Sequence, residues 1–203
     1  MSTPNTTAET IRVPLNVAPD MRDVYTENYR RITRGTGKLS LFAGDQKIEH
    51  LNDDFYGEGV SEDDADPEHL FRIASAGKPG CFAAQLGMVS AYGADYPDIN
   101  YLIKLNSKTN LVKTDQRDPV SLAINTVADV CDVRDASNLS IVGVGYTIYL
   151  GSEFEADMLT EATQIIHDAH QNGLLVALWI YPRGQAVTNE GDPHLIAGAG
   201  GVA

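Results

Sequence analysis

Leu174 to Gly184 reads LLVALWIYPRG, and the fold follows from how this stretch is read. Six apolar residues run from Leu174 to Trp179 without a charge among them. An uncharged apolar run of this length fits a strand buried on both faces, as in a parallel sheet covered by helices. Its far end changes character at Trp179, Tyr181, Pro182, Arg183 and Gly184. Parallel α/β folds gather their ligands outside the carboxyl ends of the strands, so Trp179 and Tyr181 are candidate functional groups. The alternative is that both rings fill the end of a core.

Working outward, the same alternation of strand and helix recurs about five times. Leu39–Gly44 (LSLFAG) reads as the first strand, with Asp45 directly after it. Cys81–Leu86 reads as the second, Asn100–Leu105 as the third and Leu139–Leu150 as the fourth. Between them, helices are expected from Asp66-Pro67, with aspartate as cap and proline at the first helical position, and near Met88–Tyr92. A further helix is expected over Pro119–Val133, where Val120, Ala123, Ile124, Val127 and Val130 recur at helical spacing. Ser152 and Glu155 form an S-x-x-E capping pattern ahead of a helix that Asn172-Gly173 closes. Asp192-Pro193 opens one more. This order predicts a parallel α/β fold with its polar groups on one face: Asp45, Lys104 with Asn106, Ser152, and Trp179 with Tyr181.

The N-terminal part is different. Residues 1 to about 20 are polar and contain Pro4, Pro14 and Pro19, which suggests an extended arm. Met21 to about Thr33 suggests a lead-in helix. The expected division is an arm and helix over 1–37 and the main domain over 38–203. Glu49 to Glu68 is an acidic segment interrupted by Gly57 and Gly59, and a solvated face is preferred for most of its carboxylates.

The chain has 203 residues, 43% hydrophobic and 21% charged, which suits one domain with a real core. Its formal net charge of -13 argues against nucleic acid or an anionic membrane as a partner. No apolar run reaches membrane-spanning length, and MSTPNTTAET lacks the basic-then-apolar pattern of a leader, so a cytoplasmic location is expected. Cys81 and Cys131 are far apart and form no CxxC, so two thiols are expected rather than a disulfide or metal site.

Other motifs weigh little. Gly143 and Gly145 sit inside an apolar run, where they serve close packing rather than a dinucleotide turn. His167 and His170 share a helix face but lack the further ligands a metal needs. Lys104 stands in an otherwise apolar strand. Burying it charged is costly, so it is either paired or shifted in pKa; pairing to Asp45 or to an anionic ligand is preferred.

Four stretches carry a resemblance: FAGDQKIEH (42–50), YLIKLNSKTN (101–110), VGYTIYLGSE (144–153) and LWIYPRG (178–184). They resemble the archaeal-type (dehydrin-like) class I fructose-bisphosphate aldolase family, over a span from about residue 38 to the end. The resemblance implies a (β/α)8 TIM barrel, of which about five β/α units lie in this chain. It implies a lysine Schiff base with a phosphorylated ketose, with no cofactor and no metal, the iminium acting as electron sink. By matched position, Asp45 is a carboxylate near that lysine, Tyr181 the general acid/base, Trp179 a substrate-pocket residue, and Lys104 a charge inside the barrel. Family members tend to be homo-oligomers. The Schiff-base lysine of the family sits on a sixth strand, which this chain does not reach. The chain is therefore expected to be a truncated piece, a part of a split enzyme or a non-catalytic relative, truncation being preferred, and is not expected to turn over alone. The rival readings are a sister synthase or aldolase of transaldol type acting on another phosphosugar, and a scaffold subunit without chemistry.

Overall fold

The computed structural model describes residues 11–51 and 53–203. Five strands form one parallel sheet in the order β1-β2-β3-β4-β5. They are β1 (Leu41–Ala43), β2 (Cys81–Gln85), β3 (Asn100–Lys104), β4 (Ser140–Leu150) and β5 (Leu175–Pro182). Each strand pairs with the next in sequence, the right arrangement for successive units of a (β/α)8 barrel, and together they make a half-barrel. The helices are α1 (Arg22–Thr33), α2 (Gln46–His50), α3 (His69–Gly77), α4 (Leu86–Tyr92), α5 (Val127–Ala136), α6 (Glu155–Gln171) and α7 (Pro193–Val202).

Two cores result, one on each face of the sheet. The larger lies between sheet and helices, with Phe71, Phe82, Tyr101, Ile103, Val144 and Met158 among its buried members. The smaller lies on the concave face, where Cys81, Ala83, Leu102, Val142 and Leu175 meet Ile32 of α1. Helix α1 therefore closes the amino end of the half-barrel. Asn28 Nδ2 donates to the Gly173 carbonyl at 2.9 Å, and Arg31 reaches the Ser140 hydroxyl at 2.9 Å. Burial pushes the Cys81 thiol up to about 12, and both cysteines are free thiols.

Several expectations need correction. The central, fully covered strand is β4, buried from Ile141 to Tyr149, and not β5. In β5 only Leu175 and Pro182 are buried; Val176 to Ile180 are half-buried, because β5 is the edge of the described sheet. The expected arm is docked over its described part. Val17 is 1% exposed, the Ala18 amide donates to the His170 carbonyl, and Asn16 bonds His170 Nδ1. The remainder of that arm, residues 1–10, lies outside the described residues.

Helix α5 starts at Val127 rather than Pro119. A capping box of Thr126 and Asp129 sets its start. The preceding turns are drawn to β3: the Ile124 amide donates to the Leu105 carbonyl, and Asn106 bridges to Ala123. The Ser152/Glu155 box does not form. Ser152 Oγ donates to the Pro119 carbonyl, and the Glu155 carboxylate accepts from the Gly151 amide, so α6 begins at Glu155 without a side-chain cap. Asp66 bonds the Glu68 amide and Arg72, and α3 starts at His69, two residues later than its capping pattern placed it. Asp192 caps α7 as expected, and Gly173 takes the left-handed conformation, φ +69°, after α6.

The glycines of β4 are packing devices. A Cβ on Gly143 would lie 2.6 Å from the Leu175 carbonyl oxygen, so β4 and β5 meet there backbone to backbone. Alanine at this position gains about 0.4–1 kcal/mol from a stiffer unfolded chain. The strands would have to part, at roughly 1–3 kcal/mol. Gly143→Ala is therefore expected to lower the urea midpoint with an unchanged slope; a midpoint at or above that of the parent would show that the strands do not meet this closely.

Candidate active site

The carboxyl ends of the strands carry the site. Asp45 follows β1 as the residue before α2, and Lys104 ends β3. The register places Gln85 beside Lys104, and Lys104 beside Gly145. Lys104 Nζ donates to Asp45 Oδ2 at 2.8 Å, with side chains only 1% and 8% exposed. The pairing expected from sequence is thus the one that forms. Gln85 steadies it from β2, donating to the Asp45 carbonyl at 2.8 Å. Glu49 of α2 lies 4.0 Å from the same ammonium, a second carboxylate that the sequence reading left in the solvated acidic segment.

Trp179 covers the ion pair. The Lys104 ammonium lies 4.9 Å from its ring centroid, within reach of a cation–π attraction. The indole fits because β4 offers no side chain beneath it: a Cβ on Gly145 would stand 2.5 Å from Trp179 Cζ3. Strand alternation then puts Tyr181 on the same side, where it stacks on Tyr149 with centroids 6.1 Å apart. Tyr181 is 39% exposed, at the mouth of the site.

Burial first, then the charges of Glu49 and Asp45, push the Tyr181 phenol above its usual pKa; Arg183, 5.4 Å from its ring, pulls the other way. Lys108 lies over Tyr149 at 5.7 Å. Lys108, Arg183, Glu49 and Tyr149 are the residues of this cluster to which sequence reasoning assigned no role. The signal for Arg183 was present in the PRG that ends the opening stretch. Tyr149 carried one too, since it shares parity with Thr147, the register partner of Trp179.

Asp45, Lys104, Trp179 and Tyr181 therefore come together on one face. Ser152 and Asn106 do not join them as reactive groups: each is a buried tie between loops. No cluster of three metal-binding side chains occurs among the described residues. No helix there is long and apolar enough to cross a membrane.

The model for DeoC/LacD family aldolases matches residues 39–203. The chain belongs to the DeoC/LacD aldolase family. It is 58% identical over 193 residues to a fructose-bisphosphate aldolase/6-deoxy-5-ketofructose 1-phosphate synthase of Methanocaldococcus jannaschii, a match covering 95% of this chain and 62% of that protein. It is 38% identical over 179 residues to a class 1 fructose-bisphosphate aldolase of Thermoproteus tenax, covering 88% and 62%. A solved fructose-bisphosphate aldolase from Slackia heliotrinireducens superposes with a TM-score of 0.95 at 55% identity, over 98% of this chain and 63% of that one. A Schiff-base-forming fructose-1,6-bisphosphate aldolase superposes with a TM-score of 0.73 at 34% identity, over 86% and 64%. The chain thus spans just over three-fifths of the length of these relatives, and its fold is a partial aldolase TIM barrel.

Removing one partner of the buried pair strands the other's charge. Lys104→Met is expected to destabilise the fold by about 3–5 kcal/mol in urea unfolding. Lys104→Met combined with Asp45→Asn is expected to cost less than the sum of the two single changes. Additive costs would show that the two side chains do not depend on each other.

Proposed function

We propose that this chain supplies the first five strands of a class I, Schiff-base fructose-bisphosphate aldolase, and that its substrate is a phosphorylated ketose. The carrying observation is the Lys104–Asp45 pair roofed by Trp179 beside Tyr181, all at the carboxyl ends of parallel strands. Lys108 and Arg183 flank the Tyr149–Tyr181 stack, so cations stand at the mouth of a chain whose net charge is -13. A mouth of that sign suits a phosphorylated substrate.

In this reading the imine-forming lysine belongs to a sixth barrel strand, as the resemblance implies, and Lys104 is not the nucleophile. Its Nζ lies 2.8 Å from the Asp45 carboxylate and is almost wholly buried, turned to that partner rather than open to a substrate carbonyl. The lysine amine adds to the ketose carbonyl and expels water, giving an iminium. Breaking C3–C4 sends its electron pair into the iminium to form an enamine, while the C4 hydroxyl gives its proton to Tyr181. The aldehyde leaves, the enamine takes a proton at C3, and water hydrolyses the imine to release the ketone product. Asp45 orients the groups around the imine, Lys104 sets the local charge, and Trp179 packs against the ketose chain.

The upward shift keeps the Tyr181 phenol protonated at neutral pH, the form that returns a proton to the C4 oxygen in condensation; cleavage uses the same group once it has given that proton up. The second reading is a synthase of the same chemistry on another sugar phosphate. It is favoured by the double name of the Methanocaldococcus jannaschii relative.

Borohydride with dihydroxyacetone phosphate is expected to leave no adduct on Lys104 of the 203-residue chain, by peptide mass mapping. A mapped adduct there would overturn the role given to Lys104. In a barrel that includes the sixth strand, Tyr181→Phe is expected to lower cleavage by about 10²–10⁴-fold while imine trapping persists. In the parent barrel, the alkaline titration assigned to Tyr181 is expected above the usual phenol range and with the same pH profile of kcat/KM in both directions, because the net reaction releases no proton; Tyr181→Phe should abolish it. A condensation rate that falls between pH 7 and 9 would assign the acid to another group.

A further inference from the structure

Aldol cleavage releases an aldehyde at the mouth, and amines are the groups an aldehyde attacks most readily. Of the six lysines in the chain, Lys38, Lys78 and Lys113 are exposed. Lys47 lies over the Phe55 ring at 4.5 Å, and Lys104 is buried against Asp45. Lys108 is held differently. It is half-buried and, among the described residues, its Nζ donates only to the neighbouring Thr109 carbonyl, at 3.2 Å. No carboxylate there pairs with it, whereas Asp45 and Glu49 both face Lys104. Its ammonium stands 5.7 Å from the ring of Tyr149, which stacks on Tyr181.

Lys108 also opens onto a recess of about 160 Å³, lined in part by Thr109, Thr114 and Asp118. The carboxylate in this wall is committed elsewhere: Asp118 Oδ1 accepts from the Gln185 amide and Oδ2 from the Glu153 amide, both at 2.7 Å. The recess has room for a molecule of a few carbons, and threonine hydroxyls can bond hydroxyl groups on it. Burial pushes the Lys108 ammonium below its ordinary pKa; the charge of Glu49 opposes this, and Arg183 and Lys113 add to it. A weaker hold on the proton leaves more neutral amine at neutral pH, the form that adds to a carbonyl.

We propose that Lys108 is a covalent capture site for small hydroxyaldehydes, the class to which the aldehyde product belongs, and that its adduct restrains the enzyme as free aldehyde accumulates. The assignment rests on the aldolase reading of the mouth. The Nζ lone pair adds to the aldehyde carbon, a proton passes from nitrogen to the carbonyl oxygen, and water leaves as the C=N bond forms. The imine then tautomerises. C2 gives up a proton and the nitrogen gains one, after which the C2 hydroxyl proton moves to C1 and leaves a stable aminoketone. No oxidant and no second reactant is consumed. This imine is separate from the one on the sixth strand, since it takes the aldehyde half and not the ketose. A three-carbon adduct on Nζ stands over Tyr149 and narrows the way to Tyr181.

The test incubates the full 203-residue chain with glyceraldehyde and cyanoborohydride near neutral pH, stops at low conversion, and maps adducts by peptide mass. Lys108 is expected to be labelled first, at roughly five- to tenfold the rate of Lys38 and Lys78, since one unit of pKa is about tenfold in neutral amine. Unfolding in urea should erase the preference. Glu49→Gln removes the opposing charge and should speed labelling of Lys108 by about two- to threefold, and Arg183→Gln should slow it by a similar factor. Circular dichroism and the emission of Trp179, the single tryptophan, confirm that each variant is folded. Equal rates at Lys108, Lys38 and Lys78 would overturn the capture site. An equal preference with propanal, which has the carbons without the hydroxyls, would overturn the part given to the recess. Restraint is read in a barrel that includes the sixth strand: pretreatment with glyceraldehyde should lower turnover, and Lys108→Arg should resist that loss. The same loss in both would place the inhibiting adduct elsewhere. Labelling requires no cleavage, so its failure rejects the capture site alone and leaves Tyr181→Phe to judge the aldolase reading.

Discussion

The arrangement of the mouth depends on one buried ion pair. Two opposite charges at 2.8 Å, both nearly out of water, carry a desolvation cost that only close geometry offsets. The structure meets that cost with neighbours: Gln85 fixes the backbone of Asp45, Glu49 adds a second carboxylate, and the indole of Trp179 lies over the ammonium. These partners come from β2, α2 and β5. A pair of this kind ties the first, third and fifth strands to one point, and any shift of one strand end is felt by the other two.

The same point explains the two glycines of β4. A parallel strand buried on both faces needs side chains of the right size on each side. On the concave face, β4 supplies none at Gly143 and Gly145, which lets β5 approach at one position and lets Trp179 lie flat at the next. The indole therefore reaches Lys104 across β4. A larger residue at 145 would push the ring away from the cation, so the apolar patterning of β4 and the electrostatics of β3 are parts of one arrangement.

Much of this was legible in the chain. Strand existence and order came from apolar runs ending in polar residues, and Asp45, Lys104, Trp179 and Tyr181 were marked by their place at those ends. The pairing of Lys104 followed from the cost of burying it alone. What could not be read were features set by tertiary context. Helical spacing over Pro119–Val133 competed with bonds from Asn106 and Leu105, and the tertiary bonds won up to Thr126. The Ser152 capping pattern lost its hydroxyl to the Pro119 carbonyl, 33 positions earlier in the chain. Burial of β5 depends on how many strands follow it, which periodicity within one strand does not encode. Glu49 and Lys108 were hidden for a simpler reason. Charged residues in loops look alike in sequence, and only the curvature of the sheet brings these two over Lys104 and Tyr149.

The long segment after β3 is held at several points of the mouth. It has little regular structure, yet three polar side chains bind it at intervals. Asn106 donates to the Ser121 and Thr147 carbonyls and accepts from the Thr147 amide. Asp118 accepts from the amides of Glu153 and Gln185, and Glu161 of α6 accepts from Ala123 and Tyr146. Asn106 and Asp118 each use both ends of the polar group, and Glu161 takes both of its donors on Oε2, so the network stiffens the loops it joins. Tyr181 and Arg183 lie only a few residues before Gln185, on the loop that Asp118 grips. The rigidity of the Tyr181 end of the mouth is thus supplied by a residue on a different loop. A change in either loop is transmitted to the other through that carboxylate.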